Sequence, residues 1–257
     1  MDRLYRMEMG AHQCYVIERS GNWFELEGDI YAGYEAGQSV DVSAARVLPP
    51  VMPSKIVAVG LNYRDHAKEM GKTLPDEPLI FLKPSTAVIG PSDAIVLPNG
   101  AGRVDHEAEL GIVIGKTAHQ VSADRAQEYV LGLTCVNDVT DRDLQKRDVQ
   151  YTRGKGFDTF APIGPAIAVG LDGASLDVES AVNGQVRQSS NTRELIFSLD
   201  QLIEFVTGVM TLLPGDIIST GTPSGVGPLC AGDRVAVKVE GVGELVNEVV
   251  SDERSER

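Results

Sequence analysis

The chain has 257 residues, 42% hydrophobic and 23% charged, the proportions of an ordinary globular protein with one sizeable core or a core plus a small satellite. Its net charge of −14, from 23 Lys and Arg against 37 Asp and Glu, argues against nucleic acid and anionic membrane as partners, because both need basic surface. Three widely spaced cysteines, Cys14, Cys135 and Cys230, make neither a disulfide framework nor a CxxC zinc pattern, and read as packed thiols in a reducing compartment.

The N-terminus, Met1 to Arg6, has no signal-peptide shape, and the later apolar runs are too short to span a bilayer. A cytoplasmic protein is therefore expected. Cys14–Glu18 and Asn22–Leu26 read as strands around a turn at Ser20-Gly21. Prolines 49, 50 and 53 fit neither a helix interior nor a central strand, so a boundary is placed there. The expected organisation is a small β-rich N-terminal domain, 1–50, followed by a main domain, 51–257.

Ile56–Val59 reads as a buried strand, and Asn62 as the cap of a short helix ending at Gly71. Residues 103–115 and 129–136 read as further strands. Leu199, Leu202, Ile203, Val206 and Met210 have helical spacing within 198–210. Turns at 212–216 and 230–233 precede the strands Ile217-Ile218 and Arg234–Val239. Many short strands with Gly and Pro turns, and few helices, predict an α+β, mostly β fold. The charged tail, 251–257, is expected to fray.

Glu107 and Glu109 are two apart on a strand, so both carboxylates point to one face while Ala108, Leu110, Ile112 and Ile114 face the core. Such a pair is either a solvated strand face or two like charges bridged by a cation. An all-oxygen set suits Mg2+ or Mn2+, with Ca2+ also acceptable. Asp138 ends a strand and adds a third acid. It reads either as an N-cap or, if helix follows, as sharing a face with Arg142 and Gln145. His66 and Glu69, three apart on the short helix, read either as a surface pair or as a general base oriented by a carboxylate on a lid.

At these residues the chain resembles the fumarylacetoacetate hydrolase family. The matching runs are Val59–Glu69, Phe81-Leu-Lys83-Pro-Ser85, Asp105-His-Glu107-Ala-Glu109-Leu110, Val136–Asp143 with Gln145, Gly154–Phe160 and Thr220–Gly227. The resemblance implies a mixed β-sandwich roll catalytic domain, a homodimer and a bound Mg2+ or Mn2+. Glu107, Glu109 and Asp138 would hold the metal. His66 and Glu69 would activate water, while Arg142, Gln145, Lys155 and Thr222 would contact substrate or its oxyanion, with Lys83 helping. Asp141 stands where a small residue is common, adding negative charge beside Arg142, and Gly156 stands where Ser is common.

The implied chemistry acts on a small 2-oxo acid through a metal-stabilised enolate. Hydrolysis of the C–C bond of an acylpyruvate is the leading expectation, with oxaloacetate decarboxylation and 2-hydroxyhepta-2,4-diene-1,7-dioate isomerisation as alternatives. A non-catalytic metal-binding module is the alternative from another class, though it would have no use for a His–Glu dyad. Gly111…Gly115-Lys116-Thr117 has three residues between its glycines where a P-loop has four, and they belong to an apolar strand.

Overall fold

The structure, a computed structural model, describes residues 1–252. It has the α+β, mostly β fold that the strand-rich sequence predicts. A large sheet runs Gly33–Ser39, Asn22–Asp29, His12–Arg19, Asp2–Met9, Ala161–Val169, Val130–Asn137, Ala108–Ile114, Ile217–Ser219, Lys55–Val59 and Ile80–Pro84. A second sheet of five strands orders Gln185–Asn191, Asp177–Val182, Arg234–Val239, Gly243–Ser251 and Ile95–Leu97. A three-stranded ribbon places Val104–His106 between Thr140–Asp141 and Gly227–Pro228. The first four strands form an antiparallel meander within this large sheet, its opening strand pairing with Ala161–Val169 in the register Asp2↔Val169.

The strand Ala108–Ile114 is buried on both faces because two cores meet it. Ala108, Leu110, Ile112 and Ile114 pack with Val178, Val237 and the helix Leu199–Val209. Val113, on the opposite face, packs with Leu4, Ile163 and Ile217. The long helix begins with a capping box between Ser198 and Gln201, matching its predicted span within one residue at each end.

Several expectations are revised. Residues 103–115 are two strands, Val104–His106 and Ala108–Ile114, with Glu107 at the break between them. Asn62 does not cap the helix α1 (Arg64–Glu69), whose N-cap is Tyr63. Its side chain instead bonds Thr220 O, Phe197 O and Phe197 N–H, pinning two distant loops. Of the cysteines, Cys135 is buried but Cys14 and Cys230 are exposed. In the tail, Ser251 pairs with Leu97 and the Asp252 amide donates to Leu97 O, so these two residues are anchored; 253–257 lie outside the described residues. No helix among the described residues is long and apolar enough to cross a membrane.

Candidate active site

Glu107, Glu109 and Asp138 converge: one carboxylate oxygen from each lies within 4.8 Å of the others. The antiparallel register Glu109↔Val136 sets Glu109 near the end of the strand Val130–Asn137, which Asp138 immediately follows, and the Asp138 amide donates to Glu107 O. Glu107 leaves the ladder because its amide and the next are taken by side chains. Asn137 Oδ1 accepts the Glu107 N–H at 3.0 Å, and Gln188 Oε1 accepts that of Ala108 at 2.9 Å.

The cluster is buried and nearly charge-balanced. Lys155 Nζ donates to Glu107 Oε2 and Thr140 Oγ1, both at 2.8 Å, and to Asp138 Oδ2. Lys83 Nζ donates to Asp138 Oδ1 at 2.5 Å, and Arg142 Nη2 to Glu107 Oε1 at 2.5 Å. Burial alone would raise the Glu107 carboxyl, but Lys155 and Arg142 outweigh it and hold the group below the usual carboxylate range. Burial also opposes the Lys155 ammonium, yet Asp138 and Glu107 raise it above its ordinary value.

Glu109 is different. It accepts from Ser219 Oγ at 2.6 Å and the Gly221 amide at 2.8 Å, and among the described residues no cation bonds it. Burial, then Asp138 and Glu107, push its carboxyl up to about 8. Gly221 holds φ +96, and a Cβ there would lie 2.8 Å from Asn62 Cβ, so glycine is required for this amide to reach Glu109. A buried carboxylate lacking a protein cation, joined to two others in an all-oxygen set, fits a hard divalent ion.

Glu107 also lines a cavity of about 410 Å3, together with His66, Arg142, Gln145, Lys155 and Thr222. Met70, Lys72, Lys146, Val149 and Tyr151 form further parts of its wall. His66 Nδ1 lies 2.9 Å from Glu69 Oε2, and Glu69 in turn accepts from the Gly225 amide. With Nδ1 engaged, Nε2 is the ring nitrogen left for the cavity. The helix bearing this dyad is tied at its start: Arg64 Nη1 donates to Leu195 O at 2.5 Å, and Ser190 Oγ to Asp65 Oδ2 at 2.7 Å.

The remaining candidates divide. Arg142 and Gln145 sit on α2 (Arg142–Asp148), joined by Nη1–Oε1 at 3.1 Å. Asp138 precedes this helix and shares no helical face with them; the N-cap is Asp141, which accepts the Asp143 and Leu144 amides. The charge of Asp141 is thus directed at backbone, and it is Asp105 that holds Arg142 Nε, at 2.8 Å. Thr222 donates its hydroxyl to Ala108 O and accepts from Gln188. Lys83 is fully buried on Asp138 and Val139 O, away from the cavity wall, and burial lowers its pKa. Gly156 has a steric reason: a Cβ would lie 2.4 Å from Thr152 O. Asp105 and Asn137 fall inside the matched runs but had no role assigned there, and Gln188 lies outside those runs; each acts through a bond to a residue far along the chain.

Residues 55–250 match the family model described as fumarylacetoacetate (FAA) hydrolase C-terminal. The chain is 42% identical over 213 residues to the mitochondrial oxaloacetate tautomerase Fahd2a of Rattus norvegicus, covering 79% of this chain and 68% of that one. It resembles the structure of 2-hydroxyhepta-2,4-diene-1,7-dioate isomerase from Mycobacterium marinum with TM-score 0.92 at 40% identity, over 99% of this chain and 100% of the other. It also resembles maleylpyruvate hydrolase from Sphingobium sp. SYK-6, solved with manganese(II) and pyruvate, with TM-score 0.81 at 31% identity, over 98% and 100%.

Proposed function

The chain belongs to the fumarylacetoacetate hydrolase family of enzymes, and from that premise we propose that it is a divalent-metal-dependent enzyme cleaving the C–C bond of an acylpyruvate-type 2-oxo acid. One observation carries the reading: Glu107 belongs both to the three-carboxylate cluster and to the wall of the cavity that His66 enters. Glu107, Glu109 and Asp138 are assigned as the ligands of Mg2+ or Mn2+. When bound, the ion supplies Lewis acidity for the keto and carboxylate oxygens of a 2-oxo acid.

The protein's own groups do the rest. Glu69 fixes the tautomer and direction of His66, whose Nε2 takes a proton from water as the water oxygen attacks the distal acyl carbonyl. The C–C bond then breaks, its electron pair staying on the pyruvate carbon. The proton held at Nε2 passes to that carbon, giving pyruvate and a carboxylic acid. Arg142 and Lys155 neutralise Glu107 and Asp138, so that a bound ion would leave the pocket electropositive in an acidic protein. Gln145 orients the Arg142 guanidinium, and Lys83 acts from behind by holding Asp138.

A second reading, keto–enol tautomerisation or double-bond isomerisation, is favoured by the names of the rat and Mycobacterium marinum relatives. The same His66 would move a proton between carbon and oxygen, or between carbons, without water. An assay panel with Mg2+ or Mn2+ decides, using an acylpyruvate, enol-oxaloacetate and an unsaturated 2-hydroxy dienedioate. The proposal predicts acylpyruvate hydrolysis, abolished by chelator and lowered at least ~10²-fold in His66→Ala. Turnover of oxaloacetate enol alone would replace hydrolysis with tautomerisation. Turnover that ignores chelator on every substrate would remove the metal role.

A further inference from the structure

Gln188 lies in the strand Gln185–Asn191 of the second sheet, a sheet that contributes none of the residues assigned above, and its side chain is completely buried. All four of its amide bonding positions are used. Oε1 accepts the Ala108 N–H at 2.9 Å and lies 3.2 Å from His106 Nδ1. Nε2 donates to Thr222 Oγ1 at 2.7 Å and Pro223 O at 2.8 Å. Because Oε1 only accepts, His106 must carry its proton on Nδ1.

These bonds do two jobs. The acceptor half takes the amide immediately after Glu107, at the break where the strand ladder leaves that residue. The donor half grips the loop whose Thr222 lines the cavity and whose Gly225 amide bonds Glu69. The loop also presses on the same strand: a Cβ at Gly225 would lie 2.2 Å from Arg187 O.

We propose that Gln188 is a positioning residue of this site, fixing the backbone at Glu107–Ala108 against the Thr222–Pro223 loop so that the metal-binding carboxylate and the opposite cavity wall keep one spacing. The assignment rests on the metal-site reading above. Two variants separate the halves. Gln188→Met keeps the volume and loses every bond; Gln188→Glu keeps an acceptor for Ala108 and loses both donations.

Wild type and both variants are titrated with Mn2+ alone by electron paramagnetic resonance, and then with oxalate on the Mn2+-loaded protein by calorimetry. Gln188→Met is expected to weaken Mn2+ binding ~10–100-fold, the range seen when an orienting group behind a ligand is lost. Gln188→Glu is expected to keep wild-type Mn2+ binding and to bind oxalate more weakly. Wild-type Mn2+ binding in Gln188→Met overturns the proposal, whatever its thermal stability. If that variant does not fold, wild-type oxalate binding in Gln188→Glu overturns it instead. Failure of the wild type itself to bind Mn2+ refutes the metal-site reading rather than the role of Gln188.

Discussion

Removing the Lys155 ammonium tests whether the carboxylate cluster is held together by charge. In Lys155→Met the stem volume is kept while Nζ, 2.8 Å from Glu107 Oε2, is lost. Lys155 is only 3% exposed, so solvent does little to screen the change. Losing one partner of a buried pair costs ~3–5 kcal/mol. Glu107 retains Arg142 and Asp138 retains Lys83, which places the cost toward the lower end. Nζ also stands 4.8 Å from the Phe81 ring centroid, but a methionine sulfur partly replaces that contact. At roughly 2–4 °C per kcal/mol for a chain near this size, Tm falls by about 6–16 °C in chelator. Because the cluster then carries one more uncompensated negative charge, added Mn2+ raises Tm further in the variant than in the wild type. Differential scanning calorimetry with chelator and with Mn2+ reads both effects. A variant that melts like the wild type in chelator, or that gains no more from Mn2+ than the wild type does, refutes the charge argument.

Asp216 gives a pH prediction. Burial opposes its ionisation, but bonds from Lys55, the Leu213 amide and Ser54 outweigh it and hold its pKa below the ordinary value. Its contribution is therefore complete above the unfolded carboxyl value of ~3.9 and is lost as pH falls through the folded one. Urea unfolding of Asp216→Asn should show lower stability at neutral pH and a flatter decline below pH ~4 than the wild type; parallel curves would contradict this. Val149 ends α2 with φ +65, a strained conformation for a β-branched residue, and is 80% exposed. Val149→Gly should stabilise the chain by about 1 kcal/mol in denaturant titrations, and a loss of stability would show that Val149 has contacts that matter. Asn62→Ala should destabilise by ~1–3 kcal/mol per buried group left unpaired, since it joins the 197 and 220 backbones; a change within ~0.5 kcal/mol would deny it that role.

The parts of this fold readable from sequence are those where pattern and local geometry agree. The alternation of Ala108, Leu110, Ile112 and Ile114 marks a real core face, and the apolar spacing of 199–210 marks the long helix. The acidic cluster was readable in its members but not in its geometry: Glu109 lies on that strand, Glu107 at the break beside it, and Asp138 just past the end of the neighbouring strand. What pattern does not encode is which distant group takes a given amide. The break at Glu107 depends on Asn137 and Gln188, 30 and 80 positions away by the bonds they make. Asn62 has a capping residue's chemistry, yet its amide is recruited by Thr220 and Phe197, more than a hundred residues on. Asp138 and Asp141 are alike in type and neighbourhood. Only the start of α2 at Arg142 decides that Asp141 caps it, while Asp138 meets two buried lysines.

The proposed chemistry requires a divalent ion among Glu107, Glu109 and Asp138. A crystal soaked in Mn2+ and measured for anomalous scattering tests this directly. A single strong peak bonded by all three carboxylates, absent in Glu109→Gln, is expected. A soaked crystal with no peak between these side chains, or an equal peak in the Glu109→Gln protein, would contradict it.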